Sequence, residues 1–308
     1  MRMPCYMDMD PGIDDALALV VAVNHLTVHG VTTVAGNVSL PQTFKNACQI
    51  LDLIQAPHIP VVAGSAEPLL TSPWTAYEIH GDNGLGGYEG PLEIKIRPTT
   101  NAPAWVWLAS MLDIAESPLD VIATGPLTNI ARLCLGFPQV LPKIRNLTIM
   151  GGSLTGGNVT PTAEFNFYVD PDAAEAVLKY VSGVRLVGLD VTHQVLWPLR
   201  DVKRLLDYGS VGRALALMLS NYGGRRPDGA GGEGLAIHDV LAVAAAHQPD
   251  FFSWELMPLT VVREGGLRGT VVASHSADRA AVAVATRART ADFFDWLWHG
   301  LESYREKR

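Results

Sequence analysis

From residue 4 to about residue 190 the chain alternates between short β-branched or apolar runs and longer helix-patterned ones, and no other feature limits its fold as tightly. The strand-like runs at 28–35, 61–63, 120–123, 147–150 and 184–189 end at polar or glycine-bearing turns, while 16–23, 42–54, 102–116 and the stretches opening at Thr128 and Pro171 read as helices. Such alternation predicts an α/β fold, an open, mostly parallel sheet flanked by helices on both faces. In sheets of this kind the ligand crevice lies beyond the carboxyl ends of the strands. Asp10, Asn37, Thr124, Met150 and Asp190 all fall at such ends, so residues distant in sequence are expected to converge. Further helical stretches surround 202–206 and 214–219. Runs at 259–262, 270–273 and 281–286 read as a small antiparallel C-terminal extension, closed by an amphipathic helix from Thr290.

The densest chemistry sits directly after the first strand, in Asp8-Met9-Asp10-Pro11-Gly12-Ile13-Asp14-Asp15. Pro11-Gly12 makes a tight turn into a helix, which puts Asp14 and Asp15 in its first turn, where the helix dipole favours negative charge. Capping needs one acid and leaves three unexplained. Two carboxylates about 4 Å apart repel by roughly 4 kcal/mol at an effective dielectric near 20, so a converging group needs a cation or a proton. A bound divalent metal is the simplest resolution.

Composition narrows the partners. A formal charge of −8 with no compensating Lys/Arg cluster argues against nucleic acid as partner, and no apolar run is long enough to span a membrane. The chain enters its first strand almost at once, leaving no room for a cleavable signal, so a cytoplasmic enzyme is expected. Cys5, Cys48 and Cys134 lack CxxC spacing and read as small buried hydrophobes. Oxygen-only ligands favour Ca²⁺ or Mg²⁺ over zinc, and no HExxH occurs. Asp10, Asp15 and Asp239, with a carbonyl from the Thr124 turn, supply part of such a shell, and a carboxylate beside a metal can act as general base on water. Hydrolysis follows.

Two stretches read as functional loops. Residues 64–91 break the alternation and carry His80-Gly81-Asp82-Asn83-Gly84-Leu85-Gly86-Gly87. Residues 221–235 hold six glycines and a proline and read as an irregular, mobile lid before His238-Asp239 opens a helix.

These residues carry a resemblance over essentially the whole chain. Asp8 to Asp15, Gly36-Asn37, Thr124-Gly125-Pro126-Leu127-Thr128-Asn129, Glu164-Phe165-Asn166, Asp170-Pro171 and His238-Asp239, in that order, are similar to the inosine-uridine preferring nucleoside hydrolases. The resemblance implies a single domain over 1–308, a calcium-dependent N-ribohydrolase and a homodimer or homotetramer, with a small ribonucleoside as partner. It implies Asp10 as metal ligand and water-activating base, Asp15 and Asp239 as further ligands, and Thr124 as a main-chain ligand. Asn37 would orient the water, and Asp8 would hydrogen-bond behind the ligands. Asp14 matches a ribose-hydroxyl contact, Asn158, Glu164 and Asn166 the sugar-binding group, and Met150 a further substrate contact. His238 and His80 match histidines near the base and favour uridine and cytidine, with a purine- or inosine-preferring or broad-specificity nucleoside hydrolase as the alternative. Tyr222 would add an aromatic contact from the lid.

The remaining candidates read as ordinary structure. Arg225-Arg226 are expected to be solvated lid charges, and Trp105, Trp107, Trp296 and Trp298 to pack in the core or a subunit interface. Trp74 and Trp197, in loop-like sequence, are the two indoles worth testing against the base, and His193 stands near the pocket. An Asp-x-Asp after a first strand also suggests a haloacid-dehalogenase-like phosphatase with Asp8 as nucleophile, but Pro11 occupies the position that such enzymes give to a small hydroxyl residue or valine. A non-catalytic nucleoside-binding module is opposed by Asp10 and Asn37, since binding alone needs no water-activating pair.

Overall fold

β1 (Pro4–Met9) is apolar on both faces and buried from Cys5 onward, so it needs cover from both sides and takes the middle of an eight-stranded sheet. The structure, a computed structural model, describes residues 2–90, 100–227, 233–276 and 279–306. After β1 come α1 (Ile13–His25), β2 (Thr27–Thr33), α2 (Leu40–Leu53), β3 (Val61–Ala63), the single turn α3 (Tyr77–His80), α4 (Ala104–Asp113), β4 (Leu119–Ala123), α5 (Thr128–Gly136) and β5 (Ile144–Met150). Then follow α6 (Phe165–Val169), α7 (Pro171–Tyr180), β6 (Val184–Val187), α8 (Leu189–Thr192) and β7 (Leu196–Pro198). The last part holds α9 (Gly209–Ser220), β8 (Arg225–Pro227), β9 (Glu233–Ala236), α10 (His238–His247), β10 (Phe252–Met257), β11 (Leu259–Val261), β12 (Val271–Ala273), β13 (Val282–Ala288) and α11 (Thr290–Leu301).

The main sheet runs β10-β13-β6-β5-β4-β1-β2-β3 and is parallel from β13 to β3. The order reverses between β1 and β4, which opens a crevice at their carboxyl ends. One apolar layer, with α1, α2, α9, α10 and α11, covers one face, and a second, with α4, α5 and α7, covers the other. α1 is buried almost all round from Ile13 to Ala22, as expected for a helix that is apolar on every side. The three cysteines are buried, as expected, and form no disulfide with one another. No described helix is long and apolar enough to cross a membrane.

The C-terminal part departs from its sequence reading. β11 and β12 form the expected small antiparallel pair, but β13 lies in the main sheet, parallel to β6 and antiparallel to β10. β10, whose sequence alternates weakly and carries Glu255 and an exposed Leu256, has no counterpart in that reading. The lid also differs. Instead of an irregular loop, β8 and β9 pair antiparallel and β9 pairs in turn with β7, while residues 228–232 of that segment lie outside the described ones. Gly234 permits this pairing, because a Cβ there would stand 2.6 Å from Cβ of Leu196. Trp197 on β7 is correspondingly core, fully buried with its ring edge-on to Trp298, and is removed from the base-contact candidates. Trp74 stays half exposed and meets Tyr168 edge-on.

Candidate active site

The acids are brought together by a turn whose bonds are short and local. Gly12 N–H donates to Asp15 Oδ2 at 3.0 Å, closing the first turn of α1, and Thr124 Oγ1 at the end of β4 donates to Asp15 Oδ1 at 2.7 Å. Asn37, in the loop after β2, donates its N–H to Asp10 Oδ2 at 2.7 Å and its side-chain amide to Asp10 O at 3.1 Å and Asp15 Oδ2 at 3.2 Å. Two glycines leave room for the Asp10 carboxylate. A Cβ at Gly36 would lie 2.1 Å from Asp10 Oδ2, and one at Gly125 2.7 Å from Oδ1. Asp8 lies behind, on the opposite face of β1, where its Oδ1 accepts from Thr32 Oγ1 at 2.6 Å and Asn129 Nδ2 at 2.8 Å. That position is buried and away from the crevice, which is incompatible with a nucleophilic Asp8.

Asp14, Asp15 and Asp239 each offer a carboxylate oxygen, all within 4.8 Å of one another and all buried. The sequence reading put Asp10 in this group and Asp14 outside it. Here Asp14 stands inside, and Asp10 lies alongside with Oδ2 turned to Asn37. Burial raises all four acids, and mutual repulsion adds to it at Asp10, Asp14 and Asp239, with Asp14 pushed to about 7. No lysine or arginine is among the main influences on any of the four. A buried, cation-free set of oxygen donors fits a hard divalent ion and little else. Thr124 O faces the same region, where it accepts from Asn166 Nδ2 at 2.8 Å.

A pocket opens over this cluster, lined by Asp14, Asn37, His80, Thr124, Met150, Asn158, Glu164, Asn166, Tyr222, His238 and Asp239 among others. Every expected substrate residue therefore borders one cavity. Its volume is about 250 Å³, just under the range of drug-sized ligand clefts and enough for a small polar ligand. Glu164 caps α6, accepting from Gly152 N at 2.9 Å and Phe167 N at 3.2 Å, and burial lifts it to about 7. Asn158 Oδ1 accepts from Phe165 N at 2.9 Å, and Asn166 also donates to Met150 O at 3.1 Å. Asp190 accepts from Leu154 N at 2.8 Å and Thr155 N at 3.0 Å, which holds the loop leading to Asn158.

The far wall is made of rings. Ile13 N–H donates to His80 Nδ1 at 3.0 Å, so His80 carries its hydrogen on Nε2, and burial lowers it to about 3. Its ring lies 5.4 Å from that of Tyr222, whose hydroxyl donates to Ala236 O at 3.1 Å. His238 Nδ1 lies 2.7 Å from Thr192 Oγ1, and burial, with His193 and Arg226 near, lowers His238 to about 3. Both histidines are uncharged at neutral pH. Arg225 and Arg226 are exposed, as read, yet both line the pocket, and Arg226 Nη1 donates to His193 Nε2 at 3.0 Å. Thr192 and Arg226 are the residues that sequence reasoning missed. Thr192 gave no signal, whereas an Arg-Arg pair between two pocket residues, Tyr222 and His238, did.

A doubly wound sheet with oxygen donors at its switch point and a sugar-sized pocket above them defines a metal-assisted hydrolase of a small polar ligand. The comparisons make that class specific. The family model described as inosine-uridine preferring nucleoside hydrolase matches residues 5–295. The chain is 40% identical over 269 residues to the non-specific ribonucleoside hydrolase RihC of Shigella flexneri, covering 86% of each. It superposes on a purine-preferring ribonucleoside hydrolase from Gardnerella vaginalis with a TM-score of 0.89, at 29% identity and 98% coverage of each chain. A plant nucleoside hydrolase gives 0.88 at 27% identity, over 98% of this chain and 99% of that one. The chain belongs to the inosine-uridine preferring nucleoside hydrolase family, and it is an N-ribohydrolase.

Proposed function

We propose that the pocket cleaves the N-glycosidic bond of ribonucleosides with calcium held by Asp10, Asp15, Asp239 and the Thr124 carbonyl, and that it accepts pyrimidine nucleosides and inosine alike. The observation that carries this reading is the meeting of the buried Asp14, Asp15 and Asp239 carboxylates within 4.8 Å at the cavity, with Asp10 alongside them on Asn37. When bound, calcium supplies positive charge and Lewis acidity to the ribose diol and the attacking water. Asp10 takes the water's proton on Oδ1, since Oδ2 already accepts the Asn37 N–H. Asn37 fixes that carboxylate, and Asp14 accepts from a ribose hydroxyl. Asn158, Glu164, Asn166 and Met150 hold the rest of the sugar. As the bond lengthens the ring gains oxocarbenium character, which the surrounding acids stabilise. At the other end, a Thr192 hydroxyl donating to His238 Nδ1, 2.7 Å away, would put the hydrogen of His238 on Nε2. The Nε2 hydrogen of His238 would then hydrogen-bond the leaving base as it departs with negative charge, with His80 and Tyr222 beside it. Acceptance of several bases is supported by the name of the Shigella flexneri relative, non-specific ribonucleoside hydrolase, and by the uncharged rings of His80 and His238 at the base end. The resemblance supports a homodimer or homotetramer.

A reducing-sugar assay over uridine, cytidine, inosine and adenosine tests the reading, and absence of ribose from all four contradicts it. His238→Ala is expected to slow uridine by about 10²-fold or more and p-nitrophenyl riboside, whose leaving group needs no proton, far less. Equal losses on both substrates would remove His238 from its role.

Calcium should also stabilise the fold in a pH-dependent way. In the metal-free protein Asp14 rises from 3.8 to about 7, so its contribution to stability is present below 3.8 and lost as pH rises through about 7. A cation reverses this by favouring the ionised form. The rise in Tm on adding calcium is therefore expected to be small at pH 5 and several degrees, roughly 2–3 kcal/mol at 100 times Kd, at pH 8. Scanning calorimetry at the two pH values measures it, and an equal rise at both contradicts the assignment.

A further inference from the structure

We infer that His193 is a positioning residue for the leaving-base end of the pocket, joining Arg226 of β8 to His238 at the head of α10. The inference rests on the reading that His238 faces the base. Thr192 and His193 are consecutive at the C-terminal end of α8, and each holds one part of the wall. Thr192 Oγ1 reaches His238 Nδ1 at 2.7 Å, and the His193 ring meets the His238 ring edge-on, with centroids 5.4 Å apart and planes at 60°. On its other side, His193 Nε2 accepts from Arg226 Nη1 at 3.0 Å. Arginine only donates, so this nitrogen carries no proton and His193 is neutral with its hydrogen on Nδ1. Burial, with Arg226 near, holds the ring down to about 4, so it remains an acceptor throughout the neutral range.

The consequence is mechanical. Arg226 is a long, exposed side chain, and a fixed acceptor removes most of its rotamer freedom while anchoring β8 across the pocket mouth. The His193 ring, edge-on to that of His238, limits how far the His238 ring can swing. Three elements that sequence separates, α8, β8 and α10, thereby share one joint at the base end.

Three variants separate this role from general support. His193→Phe keeps a ring and removes the acceptor, His193→Gln restores an acceptor at the reach of Nε2, and Arg226→Ala removes the donor. Loss of a hydrogen bond to a charged group predicts a fall in kcat/KM on uridine and inosine of about tenfold or more for His193→Phe, carried more by KM than by kcat. His193→Gln recovers most of it, and the His193→Phe/Arg226→Ala double variant falls no further than the worse single one. p-Nitrophenyl riboside, which makes little demand on the base end, loses less than about threefold. Should His193→Phe not fold, the comparison of His193→Gln with Arg226→Ala carries the test. The inference is overturned if His193→Gln is no better than His193→Phe, if the single losses add, if Arg226→Ala leaves nucleosides untouched, or if both substrate classes fall equally. Wild-type protein that cleaves p-nitrophenyl riboside but no nucleoside would instead remove the reading of the base end on which the inference rests.

Discussion

Asp10→Asn is expected to lower kcat on uridine by about 10³- to 10⁴-fold and to leave the chain folded. The substitution keeps shape and an oxygen for the Asn37 N–H, while it removes the only group at that position able to accept a proton from water. Metal-free Asp10→Asn should melt higher than the wild type at pH 8, by a few degrees for each kcal/mol of relieved repulsion, because Asp10 is buried against Asp15 and Asp14. Activity and stability thus move in opposite directions, as at sites where like charges are held together for function. Ribose release together with differential scanning calorimetry reads both. A variant that keeps most of its turnover removes Asp10 as the base, and one that melts lower in the metal-free state contradicts the repulsion argument.

Gly36→Ala is expected to cost about 10²-fold or more in kcat/KM although it adds one methyl group and touches no substrate. The new Cβ would stand 2.1 Å from Asp10 Oδ2, so either the carboxylate or the loop after β2 must move, and Asn37 is the next residue in that loop. Backbone strain is not the cause, because Gly36 is not in a left-handed conformation. Gly266→Ala, where a Cβ meets nothing within 4 Å, serves as the control and should behave as wild type. Equal activity of the two variants would mean that Asp10 tolerates displacement, which the proposed base cannot.

What the sequence revealed of this site, and what it hid, follows from range. Asp10, Asn37, Thr124 and Met150 could be placed at the crevice because β-strand ends are marked locally, by the change from β-branched residues to Gly, Asn or Thr-Gly-Pro. The membership of Asp14 in the carboxylate group could not, since Asp10, Asp14 and Asp15 are close in sequence and only the path of the turn decides which oxygens face Asp239. Strand β13 was legible as a strand but not as a member of the main sheet, because parallel pairing with β6 is a contact between residues nearly a hundred positions apart. The lid misled for a different reason. Six glycines and a proline normally exclude regular structure, but here one of those glycines is what lets β9 lie against β7. Trp197 was misplaced with it, since a buried indole on a three-residue strand has no periodicity to reveal it.

The central claim is that Asp10 and Asp15, near the start of the chain, and Asp239, more than two hundred positions further on, hold a calcium ion on which cleavage of the ribosyl bond depends. Titrating calcium into chelator-stripped protein by calorimetry, with ribose release from uridine followed in the same samples, tests it most directly. The account predicts that heat and activity saturate together at one ion per chain, and that Asp239→Ala gives neither. Full hydrolysis by the stripped protein, or calcium binding undiminished in Asp239→Ala, would contradict it.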